Sequence, residues 1–126
     1  MEKTIINTSN APAPIGPYNQ AVLVDNFLFI SGQVAIDPAT GNIEAKDVIA
    51  ETHQVMHNLR SILSEAKMDL DNVVKTTIFL SDMSLFATVN EVYGKYFTKE
   101  FPARETVAVK GLPKNVNVEI SMIAAR

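Results

Sequence analysis

The sequence predicts an α+β domain, a mixed β-sheet with two helices packed on one of its faces. Three observations predict it. Short β-branched runs and longer apolar-periodic runs follow in the order strand, strand, helix, strand, helix, strand, strand. Only two runs carry the helical period, enough to cover one face of a sheet and leave the other open. The chain has 126 residues, which fits one domain, 1–126, with no room for a second.

The first irregular stretch, residues 10–17, reads Asn-Ala-Pro-Ala-Pro-Ile-Gly-Pro. Its prolines remove backbone donors and fix φ, so it is a stiff loop, neither helix nor central strand. Ala21 to Val24 and Phe27 to Ser31 are short β-rich runs. Asp25-Asn26 between them suits a two-residue hairpin turn, because both residues tolerate positive φ. Asp37-Pro38-Ala39-Thr40-Gly41 is a further turn.

Asp47 to Lys67 carries a helical stripe of Val48, Val55, Leu59, Ile62 and Ala66, widened by Met56 and Leu63. Asp47 is the expected N-cap, and Lys67 suits the negative end of the helix dipole. Val73 to Leu80 is a β-branched strand. A second helix is expected over Ser84 to Lys99, burying Phe86, Val89, Val92, Tyr93, Tyr96 and Phe97. Gly94 weakens it by up to about 1 kcal/mol, and Pro102 ends it. Thr106 to Lys110 and Val116 to Ala124 are the last strands, with Gly111 to Asn115 as the turn between them. Val74, Ile78 and Leu80 against Val73 and Phe79 put apolar residues on both alternating sets, so an oligomer is expected.

Composition excludes several function classes. There is no cysteine, hence no disulfide framework, thiolate metal site or cysteine nucleophile. Missing thiols fit a reducing cytoplasm, the expected location. The N-terminus lacks the basic start and apolar run of a signal peptide, and no segment approaches the ~20 apolar residues of a membrane span. The formal net charge is -3 and the basic residues are scattered, so no nucleic-acid partner is expected. His53 and His57 stand four apart, the spacing of paired zinc ligands, but no third histidine or cysteine completes a site. No metal is expected there. No glycine-rich phosphate loop, nucleophile elbow or serine triad is present.

Four stretches together resemble the RidA (YjgF/Rid) family. They are Ile15-Gly16-Pro17-Tyr18-Asn19-Gln20-Ala21, then Ser31-Gly32-Gln33, then Val74-Lys75-Thr76-Thr77-Ile78-Phe79-Leu80. The fourth is Phe101-Pro102-Ala103-Arg104, leading through Leu112-Pro113 to Val118-Glu119-Ile120. The resemblance implies a chorismate-mutase-like fold and a homotrimer with three clefts, each lined by two neighbouring subunits. It implies hydrolytic deamination of reactive 2-imino and enamino acids, such as 2-aminoacrylate, 2-iminopropanoate and 2-iminobutanoate, to 2-keto acids and ammonia. It implies no cofactor and no metal. The other reading is a non-catalytic, small-carboxylate-binding or regulatory protein of the same fold.

Hydrolysis of a 2-imino acid needs a grip on its carboxylate and a positioned water. Arg104 suits the grip, because guanidinium offers a rigid donor fork that stays charged. Alone it also reads as a surface or interface arginine; the Pro-Ala-Arg motif assigns it the substrate role. Glu119 lies on an alternating strand, sharing a face with Asn117, Ser121 and Ile123, and can accept a proton from water or orient it. Alone it also reads as a solvated strand residue. The resemblance adds Tyr18, Ser31, Gly32, Asn90 and Thr106 as substrate-binding positions. Many relatives have cysteine at the position of Thr106 and a small residue at that of Glu105. Alternation should point Glu105 away from Arg104.

Overall fold

The computed structural model describes residues 1–126. Its main sheet has six strands: β1 (Thr4–Ile6), β2 (Ala21–Val24), β3 (Phe27–Gln33), β6 (Val73–Leu80), β7 (Ala103–Ala108) and β8 (Val118–Ala125). Their order across the sheet is β1-β2-β3-β8-β6-β7. Only β6 and β7 run parallel; every other pair is antiparallel. A small separate hairpin joins β4 (Ile36–Asp37) to β5 (Asn42–Ile43). Two helices, α1 (Val48–Glu65) and α2 (Phe86–Gly94), complete the fold. The α+β reading with two helices holds.

Helix α1 starts and stops where its sequence dictates. Asp47 is the N-cap, its carboxylate accepting from Ala50 N–H at 2.8 Å. Lys67 does more than face the dipole. It takes a left-handed φ of 60°, its N–H donates to Ser64 O, and Met68 N–H donates to Leu63 O. This double bond pattern is a Schellman stop, with Met68 buried behind it. Val55, Met56, Leu59, Ile62 and Leu63 are buried against the inward faces of β3 and β8.

The second helix is shorter than its apolar stripe. Beyond Gly94 the bonds tighten to a three-residue pattern: Lys95 to Val92, Tyr96 to Tyr93, Phe97 to Gly94. Glycine weakens an α-helix, and the chain leaves it in 3₁₀ turns that still bury Phe97. At the other end Asp82 caps a 3₁₀ turn, Met83–Leu85, rather than the expected α-helical start at Ser84.

Two further expectations need correction. Residues 111–115 do not close a hairpin: β6 lies between β7 and β8, because β7 pairs in parallel with β6. Val74 is not inward-facing with Ile78 and Leu80. A bulge between Val73 and Lys75 shifts the phase, so Val73 is buried and Val74 exposed.

Both helices sit over one face, formed by Leu28, Ile30, Ile78, Leu80, Ile120 and Met122. The other face is bare. Across it Ile5, Val22, Phe29, Ile123 and Lys75 align in one row, and Glu119, Phe79 and Val107 in another. Phe27, Phe29 and Val107 stay 49%, 46% and 44% exposed there. Between these rows Glu105 meets Lys75 Nζ at 3.0 Å and accepts from Thr77 Oγ1 at 3.2 Å.

A buried carboxylate fixes the entry of β8. Glu51 is only 5% exposed, and its Oε2 accepts from the backbone N–H of Asn117 at 2.7 Å and of Val118 at 2.8 Å. Its Oε1 takes the Asn117 side-chain amide at 3.1 Å. Glu51→Ala orphans those donors, and we expect a loss of about 3 kcal/mol in unfolding free energy. A urea titration reads this directly; an unchanged midpoint contradicts the anchoring role.

Candidate functional site

The loop before β2 is held by one side chain. Gln20 is buried, and its amide donates to the carbonyls of Thr8 and Pro12 at 2.9 Å each and of Ala11 at 3.3 Å. Its Oε1 accepts from Thr8 N–H at 2.7 Å. Prolines strip donors from this loop, so glutamine supplies partners for its carbonyls. Ser31 closes the other side, donating its hydroxyl to Asn19 O at 2.6 Å. That hydroxyl is therefore committed to the loop, although Ser31 lines the cleft.

The loop and the open face of the sheet enclose a cleft of about 390 Å³ that contains Tyr18, Ser31, Gly32 and Glu119. Ile15, Val34 and Ile36 give it an apolar wall. Tyr18 stands half exposed in it, its hydroxyl accepting weakly from Ile15 N–H at 3.4 Å. Lys114 borders the same cleft and is held in a left-handed conformation, φ 58°, one residue after Pro113. Glycine or asparagine is the usual occupant of such a turn position.

Glu119 lies directly on Gly32. A Cβ at position 32 would stand 2.6 Å from Glu119 Oε2 and 2.8 Å from its Cδ. Glycine there is what lets the carboxylate fold back onto β3. Half-buried, the carboxyl has its pKa raised by desolvation. It is a proton acceptor poised closer to neutrality than an ordinary carboxylate.

Arg104 is elsewhere. It pairs in register with Thr76, whose side chain faces the helices, whereas Glu119 aligns with Phe79 on the bare face. Arg104 borders a second cleft of about 450 Å³ with Asn90, Phe101 and Pro102. Its Nη1 donates to Asn90 Oδ1 at 2.6 Å. Its guanidinium carbon lies 5.3 Å from the Tyr93 ring centroid and 5.7 Å from that of Phe86. Thr106 follows on the same face, its hydroxyl oxygen buried without a partner. Glu105 points the other way to Lys75, which lowers its pKa, so it does not neutralise Arg104.

One chain therefore splits the expected residues: Tyr18, Ser31, Gly32 and Glu119 line one cleft, Asn90 and Arg104 line another, and Thr106 shares Arg104's strand face without lining either. The histidine pair joins neither. His53 Nδ1 shares a 2.6 Å hydrogen bond with the Tyr96 hydroxyl, and no group of three histidine, cysteine or acidic side chains gathers to hold a metal.

A family model described as endoribonuclease L-PSP matches residues 8–126. The chain belongs to the RidA/YjgF family. It is 48% identical over 124 residues to the 2-iminobutanoate/2-iminopropanoate deaminase of Mus musculus, covering 98% of this chain and 92% of that one. It is 49% identical to a putative regulator, AldR, of Lactococcus lactis, covering 95% of each. Its fold matches the crystal structure of the YjgF gene product of E. coli with a TM-score of 0.93, at 44% identity over 98% of both chains. No helix is long and apolar enough to cross a membrane.

In a RidA/YjgF chain built this way, Gly32 and Glu119 act as one unit. Gly32→Ala should push the carboxylate into solvent and bring its pKa back toward the ordinary range. A pH titration of the Glu119 side-chain carboxyl by NMR checks this; an unaltered pKa shows that the contact does not hold the carboxylate.

Proposed function

We propose that the protein is a cytoplasmic hydrolytic deaminase of 2-imino acids, acting as a homotrimer. In each cleft, Glu119, Tyr18 and Gly32 of one subunit face Arg104, Asn90 and Thr106 of the next. The observation that carries this reading is the split itself. Each half-site is incomplete alone, and the bare apolar face lies on the side that carries Glu119. The names of the mammalian relatives support the reaction class.

The chemistry asks little. Arg104 grips the substrate carboxylate through its free donors. Glu119 takes a proton from water as the oxygen attacks the C=N carbon. Glu119 passes that proton to nitrogen, giving the neutral carbinolamine. As the C–N bond breaks, the hydroxyl proton follows by way of Glu119, so the oxygen becomes the keto group and nitrogen leaves as ammonia. Imine and water become keto acid and ammonia, with no redox change and no cofactor. An enamine such as 2-aminoacrylate enters as its imine tautomer. Nuclease action, suggested by the family model's description, has weaker support: the chain is acidic, and His53 is bonded to Tyr96 away from both clefts.

The test is ammonia release when an amino-acid oxidase or a serine/threonine dehydratase generates the imine, with and without this protein. Acceleration is expected. Arg104→Ala should weaken keto-acid binding by about 1.5–3 kcal/mol, with Arg104→Lys restoring it in part. Glu119→Gln should keep keto-acid binding and lose turnover. Sedimentation should give a trimer.

The pH profile follows from the raised Glu119 pKa. A base works deprotonated, so turnover should climb with pH through a midpoint above the usual carboxylate range. Glu119→Gln should remove that limb. A second reading, a carboxylate-binding regulator, is favoured by the Lactococcus lactis relative. Tight keto-acid binding without faster ammonia release from any imine would establish it instead.

A further inference from the structure

Three side chains on one stripe of α2 converge on Arg104. Phe86, Asn90 and Tyr93 stand at positions i, i+4 and i+7, a spacing that stacks them on one helix face. Each meets the guanidinium differently. Asn90 Oδ1 accepts from Nη1 at 2.6 Å. The Tyr93 and Phe86 rings lie 5.3 Å and 5.7 Å from the guanidinium carbon, within the range of a cation–ring attraction.

Tyr93 is itself locked. Its hydroxyl donates to Thr76 Oγ1 at 3.0 Å, and its ring packs 4.9 Å from that of Phe97. Thr76 is fully buried and is the register partner of Arg104 across β6 and β7. The strand pair that carries the arginine also carries the anchor of the ring beneath it. By contrast Phe86 is only partly buried and has no such tether.

We infer that Phe86 and Tyr93 are positioning residues that fix the plane of the Arg104 guanidinium, so that it meets a carboxylate as a preset fork. Two aromatic rings hold a planar cation without consuming any of its five N–H donors. Asn90 takes one donor and sets the rotation. The other donors stay available to the cleft. An untethered arginine on an edge strand would sample many rotamers and lose that freedom on binding, which weakens affinity. The aromatic cradle spends that freedom in folding instead. This inference rests on Arg104 as the carboxylate grip, which both functional readings share.

Binding of pyruvate and 2-ketobutanoate to the full-length protein tests it by calorimetry. Phe86→Leu keeps an apolar group and removes the ring; we expect Kd to rise roughly fivefold. In turnover the change should fall on KM, with kcat little altered. Phe86→Tyr should restore wild-type affinity. In an Arg104→Ala background, Phe86→Leu should have no further effect. Tyr93→Phe keeps the ring and loses the Thr76 bond, so a smaller rise is expected. An unchanged Kd for Phe86→Leu, or an equal effect with and without Arg104, overturns the inference. If wild type binds no keto acid, the functional reading fails and the cradle is read without ligand. The Arg104 Cδ protons should then show an upfield ring-current shift that Phe86→Leu removes, and absence of that shift also overturns it.

Discussion

A six-stranded sheet with helices on one face only is the constraint from which the other features follow. Alternation along each strand assigns every side chain to the helix layer or to the bare side. On β8 that puts Val118, Ile120 and Met122 in the core and Glu119 on the bare side. On β7 it puts Arg104 and Thr106 toward the helices and Glu105 and Val107 away. A one-residue slip of either strand would exchange these sets. The positions of the two key charges are thus set by register, and register is set by which residues must be buried.

Register alone leaves the ends of strands free, and two buried polar side chains fix them. Glu51 reaches from α1 to the first amides of β8, one residue before Glu119. Gln20 gathers the carbonyls of the proline-rich loop that carries Tyr18. Each is buried and saturated with bonds, which is the condition for a polar group to stabilise rather than cost. Glu119 follows one anchored amide directly and Tyr18 lies two residues before Gln20, yet both stay exposed enough to meet a ligand.

Periodicity in the sequence showed the helices, most strands and the alternation that separates Glu105 from Arg104. Motif resemblance supplied the candidate site residues. What stayed hidden was long-range: β8 inserted between β3 and β6, the parallel β6–β7 pair, and the bulge at Val74, none of which a local period encodes. Strand β1 was missed because three residues carry no readable period. Glu51 left a trace, since it falls among the buried positions of the α1 stripe, and a charge there signals a buried partner. Phe86 and Tyr93 read as ordinary core. Their second role needs Arg104 beside them, and only β7 lying next to α2 supplies it.

Placing Arg104 and Glu119 on opposite faces also settles their electrostatics within the chain. Were they neighbours on one face, the guanidinium would pair with the carboxylate, hold its proton affinity down and occupy the donors a substrate needs. Apart, each keeps a useful state. Glu119 is half-buried against Gly32 and paired with no cation, and desolvation raises its affinity for a proton. Arg104 is engaged by a neutral amide and two rings, partners that orient it without cancelling its charge. Under the proposed assembly, the two meet only where one subunit's bare side faces the next subunit's edge strand. Substrate then lies between them, its carboxylate on the cation and its C=N carbon toward the base. The fold keeps the two charges from pairing within one chain by assigning each to a different face of one sheet.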